Sequence, residues 1–80
     1  MIDVKGWSWI VDINERTCKN VENEVIIKME KEGESLKGML KDMPIGLFSE
    51  IAGYGNGEKI IEEIVKTAEN EYFRAYTDQK

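Results

Sequence analysis

In the stretch IAGYGNGEKIIEEI, residues 51–64, Gly53, Gly55 and Gly57 stand at alternate positions directly ahead of Lys59 and a periodic apolar run. Glycines so spaced could cradle a phosphate on bare backbone N–H groups, provided that a strand feeds the loop and a helix leaves it. Here the segment before the loop is itself helical in pattern. Gly53 then reads as a left-handed helix stop, Asn56 and Gly57 as turn and cap residues, and Gly55 as slack between two helices that fold back. Glu58, Glu62 and Glu63 also load the first turns of the second helix with negative charge, which suits the helix dipole and repels an anion. The loop is a corner, and no cofactor is expected on it.

Other chemistries find few groups to use. The chain has no histidine, so the commonest general base and transition-metal ligand are missing and Ser-His or Cys-His nucleophiles are excluded. Cys18 has only Arg16 and Lys19 nearby to lower its pKa, and is expected to be a small, inert strand residue. Glu58, Glu62, Glu63, Glu69 and Glu71 share one long helix mostly outside its apolar stripe, where a solvated charged face accounts for them. The Asp/Asn spacing of a calcium loop does not occur, and no metal site is expected. Trp7 and Trp9 could stack bases or sugars, but they share the parity of Val11 and Ile13, which assigns them to core packing. The expectation is that the protein is not an enzyme.

Charge narrows the partners. A net charge of −5 counts against gathering phosphates, and neither half is basic: residues 1–42 carry −2 and residues 43–80 carry −3. Nucleic acid is therefore an unfavoured partner, kept as an alternative because Lys28, Lys31, Lys37 and Lys41 surround one expected hairpin. A composition 41% hydrophobic and 34% charged, with one proline, belongs to an ordered domain. One cysteine cannot form an internal disulfide, WSWIV is too short for a signal-peptide core, and no segment approaches the ~20 apolar residues of a membrane span. These signs place the expected address in the cytoplasm, away from membranes.

The elements that must position any site follow from the apolar period. Trp7, Trp9, Val11 and Ile13 alternate with Ser8, Ile10 and Asp12, as in a half-buried strand. NERT reads as a turn in which Asn14 bonds its own backbone, with a short return strand at 17–20. Val25, Ile27 and Met29 alternate with Ile26, Lys28 and Glu30, and Gly33 breaks the run before it resumes at Leu36, the pattern of an antiparallel hairpin. Beyond it the period becomes helical. A short helix takes Asp42 near its N-cap, Pro44 in its first turn and Leu47, Phe48, Ile51 and Ala52 on one face. A second helix carries Ile60, Ile61, Ile64, Val65, Ala68, Tyr72, Ala75 and Tyr76 as one stripe. The expected fold is a single α+β domain spanning 1–80, with three or four antiparallel meander strands within 4–41 and helices within 43–53 and 57–77 on one face of the sheet.

One helix layer leaves the other sheet face open. Ile10, Ile26 and Met39 have the parity of that face, come from different strands, and are expected to meet there as an apolar stripe. Phe73 falls about 140° from the centre of the last helix's apolar stripe, where no core receives it. These four residues form the expected interface. A domain of this length buries only roughly 60% of its unfolded surface and gains from association. The leading expectation is a non-enzymatic protein-interaction module that pairs with itself, as a homodimer, or with another protein. The alternatives are a nucleic-acid binder using the hairpin lysines and an accessory or small-ligand domain using the tryptophans or the glycine loop.

Overall fold

A computed structural model describes residues 3–78. Four strands, β1 (Ile10–Asp12), β2 (Thr17–Asn20), β3 (Val25–Glu32) and β4 (Ser35–Asp42), pair antiparallel in chain order, and helices α1 (Ile45–Ala52) and α2 (Gly57–Asp78) follow. This is the α+β meander-and-helix architecture that the change of period implies.

The turns close the meander through side chains that mimic backbone. Asp12 Oδ1 accepts the Glu15 N–H at 3.0 Å and Asn20 Oδ1 accepts the Asn23 N–H at 2.8 Å, so both four-residue loops begin with the same acceptor three residues ahead of its donor. Both also end on a left-handed residue, Arg16 with φ 57° and Glu24 with φ 55°. Asp12, not Asn14, therefore organises the first turn. The β3–β4 hairpin has two turn residues, and Gly33 takes φ 64° at the first of them, the position where a type II′ turn needs it.

The inner face of the sheet contributes Cys18, Val25, Ile27 and Met29 to the core, and α2 contributes Ile64, Ala68 and Tyr72. Ile51 of α1 and Val4 complete it. Val4 belongs to a 3-10 turn at Val4–Gly6, at the start of the range expected to hold strands. Trp7, Trp9, Val11 and Ile13 are half-buried against the core while Ser8, Ile10 and Asp12 are exposed, as their parity requires, although only Ile10–Asp12 are laddered.

Helix α1 departs from expectation. It packs against α2 and reaches the core only through Ile51 and Leu47, so Phe48 and Ala52 are exposed. Its N-cap is Pro44, whereas Asp42 is the last residue of β4, opposite Ile26. Gly53 is right-handed at φ −70°, and the left-handed residue of the α1–α2 connection is Gly55 at φ 80°.

Candidate protein-interaction surface

Strand register builds the uncovered face row by row. Ile10 stands opposite Lys19, Lys19 opposite Ile26, and Ile26 opposite Asp42, while Asp12, Thr17, Lys28 and Met39 form the next row. Ile10, Ile26 and Met39 thus share the open face, as their parity demands. They do not form an unbroken stripe. Lys19 separates the two isoleucines, which lie two strand spacings or roughly 10 Å apart, and Met39 pairs with Lys28.

A turn residue just past β2, continuing the parity of Lys19, links the isoleucines. Val21, the first residue of the β2–β3 turn, is 66% exposed beside Ile10 at 61%. Two open grooves meet at Asn20 and Val21: one of about 520 Å³ runs past Ile26 to Asp42 and Pro44, and one of about 280 Å³ runs past Ile10 to Gly6 and Ser8. Asn20 holds this corner rigid. Its Nδ2 donates to the Ser8 carbonyl at 2.9 Å, and its Oδ1 accepts from both the backbone and the side chain of Asn23. The apolar surface at this end of the sheet is therefore Ile10, Val21 and Ile26, with Lys19 among them and Glu22, Glu24 and Asp42 nearby. The signal in the sequence was a branched aliphatic between Asn20 and Glu22, in a segment otherwise made of polar turn residues.

Phe73 lies elsewhere, on α2 in the helix layer, 42% exposed and edge-on to Tyr72 with ring centroids 5.9 Å apart. The structure does not bring it together with the sheet residues. A further apolar surface occurs on α1, where Ile45 is 84% exposed.

The rival sites are placed as follows. Among the hairpin lysines, Lys37 faces Glu30, Lys28 faces Met39 and Lys31 faces Leu36, and along β3 Glu30 and Glu32 interleave with Lys28 and Lys31. The glycine loop runs from one helix into the next, and a Cβ on Gly57 would come within 3.1 Å of the Ile51 carbonyl oxygen, so close helix approach explains that glycine. No group of three or more metal-ligating side chains occurs among the described residues. Cys18 is fully buried, its thiol donating to the Ala68 carbonyl at 3.4 Å, and burial, helped by the negative charge of Glu71, pushes its pKa up to about 11. Trp7 and Trp9 pack on each other at 5.9 Å, and the buried Trp9 indole N–H has no acceptor among the described residues.

No helix among the described residues is long and apolar enough to cross a membrane. The class defined is a two-layer α+β domain with one helix-covered and one open sheet face. Compared with known proteins, the chain matches no family model, no curated protein and no solved structure.

Proposed function

We propose that this chain is a non-enzymatic protein-interaction module that buries the open face of its sheet, around Ile10, Val21 and Ile26, against a second copy of itself. The observation that carries the reading is Val21, 66% exposed where two grooves meet, with Ile10, 61% exposed, lining one groove and half-buried Ile26 lining the other. Contiguous apolar surface on a small domain marks an interface more often than a solvated face. A second copy suits the charge pattern, because the face alternates Lys19 and Lys28 with Asp12 and Asp42 and a copy supplies both signs in return. The same alternation disfavours nucleic acid, which asks for unbroken positive charge.

Ile26→Lys tests the reading. The side chain sits off the core, so the variant should fold with an unchanged pattern of core amide signals. The new ammonium would stand between Lys19 and Asp42, and stripping it of water beneath a second copy should abolish association. Light scattering over a concentration series is expected to show a dimer for the native chain and a monomer for the variant. A native chain that stays monomeric, or a variant that unfolds, rejects the open face as the docking surface. Phe73→Glu is the matched probe of the helix side: if it alone dissociates the dimer, the interface is helical.

A further inference from the structure

β4 is the outer strand on one side of the sheet and runs for eight residues, against three for β1 on the other side. An edge of that length is a template for pairing with another strand. Its outward groups follow from one contact. The Gly38 N–H is donated to Glu69 Oε2 at 2.7 Å and not to β3. Bonded and non-bonded pairs alternate along an antiparallel ladder, so Leu36 and Leu40, two residues to either side, also turn their N–H and C=O groups off the edge. Gly38 is what admits the carboxylate: an added Cβ would lie 2.9 Å from Glu69 Cγ and 3.0 Å from Val65 Cγ1.

We infer that the β4 edge is a self-pairing surface for the β4 strand of a second copy, centred on Gly38, and that Glu69 holds it closed. With the two-fold axis at Gly38, that residue faces its own copy, Leu36 faces Leu40 of the copy, and Lys37 faces Met39 of the copy. Each pair of outward residues then exchanges two backbone hydrogen bonds. The neighbouring registers are penalised by charge, since an axis at Lys37 sets that lysine against itself and an axis at Met39 sets Lys37 against Lys41. Helix α2 leaves room. Ala68 of α2 touches Cys18 on β2 while Val65 and Glu69 lie over Gly38 on β4, so the α2 axis runs above β3. Three strand spacings, roughly 14 Å, would then separate α2 from its copy, more than the 8–10 Å of packed helices. The obstacle is the Glu69 carboxylate, which occupies the central donor that the partner strand needs.

The test is made with Ile26→Lys already in place, or with Ile10→Lys at the 61% exposed Ile10 should that variant not fold, so that the open face takes no part and failure of the functional reading above is scored separately. Adding Glu69→Ala should turn a monomer into a concentration-dependent dimer, with twofold higher mass at saturation and exchange of the Leu36, Gly38 and Leu40 amides slowed on the order of tenfold. Glu69→Gln retains an acceptor oxygen and should stay monomeric. Should Glu69→Ala not fold, Glu69→Asp, one methylene too short to reach Gly38, is read in the same way. In the opened edge, adding Met39→Lys sets like charges opposite and should dissociate the dimer, whereas Met39→Glu should tighten it against Lys37. A monomer with a freely exchanging Gly38 amide, or a dimer indifferent to the sign of charge at position 39, overturns the inference.

Discussion

The Sγ atom of Cys18 lies 3.4 Å from the Ala68 carbonyl oxygen with no surface of its own, and its pKa of about 11 stands above an ordinary value of 9.0. Because the thiolate is the nucleophile, such a group is chemically quiet. It also leaves a mark on stability. Below pH 9.0 the thiol is protonated in both folded and unfolded chains and its native contact contributes in full. Between pH 9.0 and about 11 the unfolded chain releases the proton first, and stability falls by up to about 1.4 kcal/mol per pH unit. Burial raises the Tyr72 phenol as well, which adds a further loss above pH 10.0. Urea unfolding across this window should show the native chain losing more stability than Cys18→Ala. Equal losses would mean that the thiol is not buried as described.

Among the elements, the α1–α2 connection shows how a correct reading of a motif can misplace its working residue. Gly53 closes α1 in right-handed geometry, its N–H bonded to the Ser49 and Glu50 carbonyls, and Gly55 makes the left-handed step. Gly55→Ala should therefore cost about 1 kcal/mol through its φ alone, as nothing lies within 4 Å of the added methyl. Gly53→Ala should change stability by less than about 0.5 kcal/mol, because alanine suits a right-handed helix end. Denaturant titration of the two variants measures the contrast, and a larger loss at Gly53 would restore it as the helix stop. Helix α1 itself turns only Leu47 and Ile51 inward, for its neighbour is α2. A helix seated on a sheet would have buried Phe48 as well.

At the scale of the molecule, nine apolar residues are buried among those described, while Ile10, Val21, Met39, Ile45 and Phe48 are among the large apolar side chains left exposed. A single core in a chain of 80 residues supplies only a few kcal/mol of net stability. Pairing through the open face would bind the folded state alone and add to that sum by mass action. The thermal midpoint of the native chain should accordingly rise with protein concentration, and Ile26→Lys should remove the dependence. Calorimetry at two concentrations decides it: a midpoint that does not move leaves the fold to stand on its core alone.

The sequence by itself determined the layers. Period-2 alternation up to β4, period-3.6 spacing from Pro44 onward, and turn residues between them imply a meander of three or four strands beneath a helix layer, and Ile64, Ala68 and Tyr72 do close over Val25, Ile27 and Met29. Parity likewise put Ile10, Ile26 and Met39 on the open face, because the side chains of a strand alternate whatever they later touch. Register was another matter. Which residues stand opposite one another depends on where the turns close, and that was fixed by Asp12 and Asn20 accepting N–H groups three residues on, with a bulge after Ile26 shifting β4. Only those contacts put Lys19 between the isoleucines and brought Val21 to Ile10. The meeting of Glu69 with Gly38, thirty-one residues apart, depends on where a helix crosses a strand edge. No local pattern encodes that distance, because it is set by the packing of the whole core beneath the helix.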